Sequence, residues 1–359
     1  MVIFLFIQQY NLMVINMKEK LIEINSKNLL FNYGFYAKKT CKNIIAVVKD
    51  NAYGHGIKQV IEILDQVSVK MYAVANIDEA IEASKYTKKD ILILDKVNDF
   101  SKITENMIIT VISKEHLKQI INSEYNLRLH IKINTGMNRK GILPEEFEEC
   151  KQLINNNSKL SLEGVYTHYA SNKKSNLEKQ FQCFKNTIKN LDREKYLLHA
   201  SSSVSSLFLK ENLTNTCRIG IGLYGLNHRY EIMQELKPVL SLYSHVDKCT
   251  LTEKNTKVGY NYMFKTPSTG YIILSPMGYG LGYIIRQKYF AFYKGEYLKQ
   301  MCRVCMDCCI YFSKKPIKEG EKIELLGEHV KVDNIARINK CSPYEIVTLL
   351  NKSIKRIVI

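Results

Sequence analysis

The sequence predicts a (β/α)8 barrel followed by a mostly antiparallel β domain, and three observations carry that expectation. Eight short apolar runs succeed one another at 44–49, 71–76, 91–94, 107–112, 127–133, 162–169, 196–203 and 217–225. Most are separated by amphipathic, charged stretches long enough for a helix, the alternation of a parallel α/β barrel. Beyond residue 235 the helical period fades, and β-rich runs at 239–251, 271–275, 301–312 and 321–332 take over between Gly-containing turns. The length of 359 residues also exceeds the usual size of a single core.

The elements follow in order. Ile44-Ile45-Ala46-Val47-Val48 forms the first barrel strand and ends at Lys49. Asp50-Asn51 and two glycines then turn the chain into a helical pattern over Ile57 to Leu64. Ile77 to Tyr86 and Asn176 to Leu191 carry the same helical spacing between later strands. No internal repeat or low-complexity linker interrupts the series.

Composition narrows the function classes. Apolar and charged fractions of 46% and 24% are those of an ordinary globule. The net charge of +17 would suit a nucleic-acid binder, but the lysines are scattered along the chain and no Trp is present. Specific nucleic-acid binding is therefore not expected, while loose adhesion to polyanions is. No apolar run approaches the roughly 18 residues of a membrane span. The opening Met1-Val2-Ile3-Phe4-Leu5-Phe6-Ile7 is shorter than one and lacks a positive n-region and a cleavage site. Cys302, Cys305, Cys308 and Cys309 have the spacing C-x2-C-x2-C-C, which suits zinc or an iron–sulfur cluster. No fourth ligand at a typical metal spacing follows, so no metal is expected. Ten cysteines without a secretory signal fit a reducing cytoplasm.

The chemistry concentrates at strand ends. A lysine at the carboxyl end of a buried strand, as Lys49 is, places a partly desolvated amine where it can form a Schiff base. Four further strands deliver motifs to the same face. They are Lys132-Ile133-Asn134-Thr135-Gly136-Met137-Asn138-Arg139, Tyr166-Thr167-His168-Tyr169-Ala170, His199-Ala200-Ser201-Ser202-Ser203 and Arg218-Ile219-Gly220-Ile221-Gly222-Leu223-Tyr224-Gly225.

In order and spacing, these motifs and the run Ala46-Val47-Val48-Lys49-Asp50-Asn51-Ala52-Tyr53-Gly54-His55-Gly56 resemble the alanine racemases, fold-type III enzymes that use pyridoxal 5'-phosphate (PLP). The resemblance spans residues 17 to 359. It implies a barrel domain over 17–235, a β domain over 236–359, and an upstream extension over 1–16, with Met17 rather than Met1 the alternative start. By resemblance Lys49 carries the cofactor, and Tyr53, Ser203, Gly220 and Ile221 hold its phosphate. Exposed amides beside small residues supply such donors readily. Ser202-Ser203 stand where relatives have Asn-Ser. Arg218 resembles the arginine facing the PLP ring nitrogen. A guanidinium does not practically give up its proton, so that nitrogen stays unprotonated, the electron sink is weaker and racemisation is favoured over transamination. His168 resembles the histidine linking this arginine to a catalytic tyrosine. Arg139 resembles the residue bonded to the PLP phenolic oxygen and helps bind substrate, and Lys132 resembles a lysine that is carbamylated in many relatives.

Racemisation requires proton exchange on both faces of a planar carbanion. The segment Lys257-Val258-Gly259-Tyr260-Asn261-Tyr262 resembles the one that supplies the second base, making Tyr260 the partner of Lys49. Met306 and Asp307 match the substrate-carboxylate segment, and Tyr279 resembles an entrance tyrosine. Leu281 and Lys173 stand near usual acidic positions, and Lys352 falls where a phosphate-binding tyrosine is usual. The resemblance implies a cytoplasmic homodimer with shared active sites that interconverts L- and D-alanine and supplies D-alanine for peptidoglycan. A racemase of serine or another small amino acid is the alternative within enzymes. A non-catalytic PLP-binding protein is the alternative outside them, although such proteins lack the second domain and its tyrosine.

Overall fold

The computed structural model describes residues 19–226 and 231–359; the expected extension 1–16 and the start at Met17 lie outside them. The chain divides into two compact units, Lys27–Lys237 and a second unit made of residues up to Ser26 together with Pro238–Ile359.

The first unit is the expected barrel. After β1 (Leu21–Ile24), which belongs elsewhere, strands β2 (Asn43–Val47), β3 (Met71–Val74), β4 (Ile91–Ile93), β5 (Met107–Val111), β6 (Leu127–Lys132), β7 (Leu160–Tyr166), β8 (Leu197–His199) and β9 (Thr216–Ile219) pair in parallel, and β9 closes on β2. Each coincides with one of the eight apolar runs. Strands β3, β4, β5 and β9 are buried at every position, because helices cover the outside and side chains fill the inside. The helix Ile57–Leu64 shows how the cover forms: Ile57, Val60, Ile61, Ile63 and Leu64 are buried at helical spacing. Side-chain caps start others, with Asn76 accepting from the Glu79 amide at 3.0 Å and Ser113 from the His116 amide at 3.1 Å. At the amino-terminal end, the Arg128 guanidinium is shared by Asp90 (2.6 and 2.9 Å) and Glu163 (2.7 and 2.8 Å), tying β6 to its surroundings.

The second unit centres on a nine-stranded sheet. Its order is 248–252, 270–275, 309–313, 296–300, 290–293, 322–326, 240–245, 21–24 and 355–358. Neighbours pair antiparallel except β1, which runs parallel to the strand Lys355–Val358. Three details differ from the sequence reading. β1 was grouped with the barrel at 17–235 but pairs only within this sheet, because Leu21, Ile22 and Ile24 are buried in it. The apolar run 301–312 is strand only over Cys309–Ser313, since residues 301–308 form a loop folded back on itself. The run 321–332 is strand over Lys322–Leu326, then turns at Gly327 (φ 159°) and enters the helix Val332–Ile338. Among the described residues no helix is long and apolar enough to cross a membrane.

One packing constraint is testable here. On β7, a Cβ at Gly164 would lie 2.5 Å from Cε1 of the buried His130 ring, whereas at Gly34, inside the helix Ser26–Thr40, a Cβ meets nothing within 4 Å. Gly164→Ala should lower unfolding stability by about 1–3 kcal/mol, and Gly34→Ala should raise it by about 0.4–1 kcal/mol. Urea titration of both variants checks the pair; equal midpoints would contradict the stated contact.

Candidate active site

Strand β2 hands the chain to one left-handed turn. Asp50, Asn51, Ala52 and Tyr53 have φ of 54°, 54°, 53° and 52°, a conformation that costs about 1–2 kcal/mol for each non-glycine residue. Hydrogen bonds over-determine it. The Ala52 amide donates to the Val48 carbonyl at 2.8 Å, and Gly54 to Asp50 at 3.0 Å. The Glu79 carboxylate accepts from the Asp50 amide at 2.6 Å and from Ala75 at 2.9 Å, pinning the turn beside β3. Lys49 opens the turn, half-buried, with its ammonium 3.5 Å from the Asp50 carboxylate.

The turn buries Tyr53 against the end of β9. A Cβ at Gly220 would lie 2.5 Å from Tyr53 Oη, so only glycine admits the phenol. Ser203 Oγ accepts from the Gly220 amide at 3.1 Å and from Gly222 at 3.2 Å. The buried Ile221 amide between them meets no acceptor among the described residues. Successive amides, a hydroxyl and a phenol of this kind form a concavity for an anionic group such as phosphate. Ser202 is turned to local work: its amide donates to Ser205 Oγ at 2.7 Å and its hydroxyl lies 3.2 Å from that atom.

Arg218, on β9, is buried and surrounded by neutral acceptors. Its NH1 donates to His199 Nδ1 at 2.7 Å and to the His199 carbonyl at 3.1 Å. Its NH2 donates to the carbonyls of Thr167 (2.7 Å) and Ala200 (3.0 Å) and to His168 Nδ1 (3.2 Å). The Tyr166 ring lies 4.9 Å from the guanidinium carbon, a cation–π contact. No carboxylate pairs with Arg218 among the described residues. His199 must accept at Nδ1, so Nε2 carries its proton and donates to His130 Nδ1 at 2.9 Å. Burial, then the nearby arginine charges, pull His130 down to about 3 and push His199 well below its ordinary range, so both rings are neutral. His130 Nε2, bearing the last proton, has no hydrogen-bond partner among the described residues.

Other candidates in the barrel share one electrostatic field. His168 falls to about 3, chiefly through burial and then through Arg218, Lys132, Arg139 and Lys49. Lys132, buried at the end of β6, is lowered to about 8 by burial first and by Arg218, Arg139 and Lys140 next. Arg139 is exposed on the loop that follows.

In the second unit three segments gather. Tyr260 stands in a short helical turn and is 75% exposed; the preceding Gly259 (φ 76°) packs where a Cβ would lie 2.7 Å from Cys302 Cβ. The Tyr279 amide donates to the Cys305 carbonyl at 3.0 Å and Gly280 to the Met306 carbonyl at 2.9 Å. Met306 and Asp307 occupy the exposed tip of the 301–308 loop. The loop Leu349–Lys352 joins them, with Asn351 donating to the carbonyls of Leu281 and Gly280 at 3.1 Å each.

Comparison with known proteins places this arrangement. A sequence profile described as "Alanine racemase, N-terminal domain" matches residues 24–228, and one described as "Alanine racemase, C-terminal domain" matches 239–358. The chain belongs to the alanine racemase family. An alanine racemase of Staphylococcus epidermidis is 30% identical over 358 residues, covering 94% of each chain. The solved alanine racemase of Clostridium difficile 630 superposes with a TM-score of 0.88 at 28% identity over 95% of this chain and 96% of that one. A histidine racemase from Leuconostoc mesenteroides subsp. sake shares the fold, with a TM-score of 0.86 at 23% identity over 95% of this chain and 98% of that one. As a family member the protein is an amino-acid racemase.

Sequence reasoning gave His199 no role and did not name His130 at all. A polar residue alternating into an apolar strand, as in Leu129-His130-Ile131, was the available signal. Lys132 yields a pH test. Its folded value of about 8 lies below the ordinary 10.5, so between those pH values the unfolded chain binds the extra proton. Stability contributed by this site should rise with pH across that window. The advantage of Lys132→Met over the parent in denaturant titrations should shrink from pH 8 to 10.5; a constant difference would contradict the assigned burial.

Proposed function

We propose that this racemase interconverts L- and D-alanine with PLP as cofactor, acting as a cytoplasmic homodimer that supplies D-alanine for peptidoglycan. The observation that carries the reading is the buried Arg218 charge, satisfied by neutral acceptors alone, on the barrel that presents Lys49. Bound there, PLP would supply an electron sink that acidifies the α-C–H bond of an amino acid. The residues fit that group: Gly220 admits the Tyr53 phenol where a methyl would collide with it, and the Ile221 amide meets no acceptor among the described residues.

The chain's own residues then divide the work. The Lys49 amine would hold the cofactor covalently, while Tyr53, Ser203 and the Gly220 and Ile221 amides hold its phosphate, with Ser202 beside them. Arg218 presents a fixed positive charge to the ring nitrogen and opposes its protonation. Arg139 reaches the phenolic oxygen and the substrate, and Lys132, as amine or carbamate, orients Arg139. Lys49 removes or returns the α-proton on one face, and the Tyr260 phenol of a second copy does so on the other. His168, held neutral, links Arg218 to that phenol. The Met306 amide and Asp307 receive the substrate carboxylate, and Tyr279 lines the entrance. A racemase of serine or another small amino acid is the second reading, favoured by Leu281 and Lys173, which stand near positions where relatives carry acids and so make the substrate corridor less acidic.

Incubation with L-alanine, L-serine and L-histidine separately, with chiral separation of products, should give D-alanine fastest. Lys49→Ala and Tyr260→Phe should each be nearly inactive. Random exchange of equal amounts of the two should restore about one site in four, because half the dimers are mixed and each mixed dimer has one complete site. An inactive mixture with demonstrated exchange contradicts the shared site.

A further inference from the structure

The cysteines at 302–309 remain unexplained by the racemase reading, and their geometry is specific. The Cys305 amide donates to the Cys308 carbonyl at 2.9 Å, closing a tight turn with Met306 and Asp307 at its tip. That bond runs opposite to the one that defines a β-turn and is the cross-strand bond of a hairpin pair, whose facing residues lie about 5.5 Å apart at Cα, within the roughly 4.4–6.8 Å that a disulfide takes. Cys305 and Cys308 are both half-buried, whereas Cys302 and Cys309 are buried. The thiols also feel one another: Cys308 is pushed up to about 11 by burial and then by Cys305, and Cys302 to about 12 by burial and then by Cys305 and Cys308. No set of three metal-ligating side chains occurs among the described residues, so the cluster is read as thiol chemistry.

We propose that Cys305 and Cys308 are a redox modification site, forming a reversible disulfide across the Met306–Asp307 turn. The oxidant is a low-molecular-weight disulfide. One cysteine thiolate attacks a sulfur of that disulfide, giving a mixed disulfide and releasing one small thiolate. The second cysteine thiolate attacks the protein sulfur, forming the S–S bond and releasing the other. Two protein S–H bonds are lost, and two electrons and two protons pass to the oxidant as two small thiols.

The turn is mechanically connected. The Cys305 and Met306 carbonyls accept from Tyr279 and Gly280, and a Cβ at Gly278 would lie 2.1 Å from the Met306 carbonyl oxygen. There is no slack at this contact. Drawing two thiols to the roughly 2.05 Å of an S–S bond therefore displaces the Met306 backbone and the Tyr279 turn together.

The test uses the full-length protein loaded with PLP and treated with oxidised glutathione, then alkylated. Before alkylation the intact mass should fall by two hydrogens, after it the protein should carry two fewer alkyl groups than the untreated control, and peptide mapping should join Cys305 to Cys308. Cys302→Ser should still form this link, and Cys308→Ser should not. The activity arm rests on the roles given above to Met306 and Tyr279: racemisation should fall at least about tenfold and return with dithiothreitol, while Cys308→Ser keeps its own untreated rate through the treatment. Cys305 and Cys308 both alkylated after oxidation, a Cys302–Cys305 link instead, or a linked enzyme at full rate would each overturn the proposal. If the untreated protein racemises nothing, the functional reading fails and the mapped link alone decides for or against the disulfide.

Discussion

The barrel depends on a buried guanidinium that no carboxylate pairs with among the described residues. Moving a charge from water into a protein interior is costly unless it is paired or fully hydrogen-bonded. Arg218 takes the second course, its four terminal N–H groups sharing five acceptors among imidazole nitrogens and backbone carbonyls. Each such bond contributes about 1.5–3 kcal/mol when one member is charged. None neutralises the charge. The interior therefore keeps a net positive point at the carboxyl ends of the strands, and that charge adds to burial, the larger cause, in lowering His168, His199, His130 and Lys132. The cage requires its own support: His199 is fixed in one tautomer by Arg218, His130 by His199, and the His130 ring is accommodated only because residue 164 is glycine.

Strain is concentrated beside this charge. Four consecutive left-handed residues follow Lys49, a conformation that isolated chains avoid. It persists because Glu79, Asn51 and the Val48 carbonyl engage its amides and those beside it. A right-handed turn of the same length would direct Tyr53 elsewhere and leave Gly220 without its phenol. Strain at a site whose surroundings over-determine it is the usual signature of a functional position. The second unit shows a related economy, with Tyr279 and Met306 presented by short turns joined through backbone hydrogen bonds, and the Tyr260 turn packed at Gly259 against the Cys302 side chain.

Much of this was legible in the sequence. All eight barrel strands coincide with apolar runs, because a strand buried on both faces is built mainly from apolar residues, with the few polar ones such as His130 and Arg218 standing out. The strand-end motifs were legible for the same reason, as polar chemistry stands out at the end of a hydrophobic run. Three features were not. β1 is apolar and precedes a helix, so nothing local distinguishes a barrel strand from one that pairs with residues more than 200 positions away. The left-handed turn is written in Asp-Asn-Ala-Tyr, residues that give no signal for four successive positive φ angles. The 301–308 loop looked like strand because Met, Cys and Val suit a pleated surface, whereas the turn at Met306-Asp307 is set by contacts with Tyr279 and Gly280.

On the function proposed above, Arg218 remains charged and keeps the cofactor's ring nitrogen free of a proton. The most direct measurement is the 15N NMR shift of that nitrogen in protein loaded with ring-labelled PLP, followed from pH 6 to 9. An unprotonated pyridine shift that does not titrate across this range is the expected result. A protonated shift, or a titration within the range, would contradict the role of the buried guanidinium.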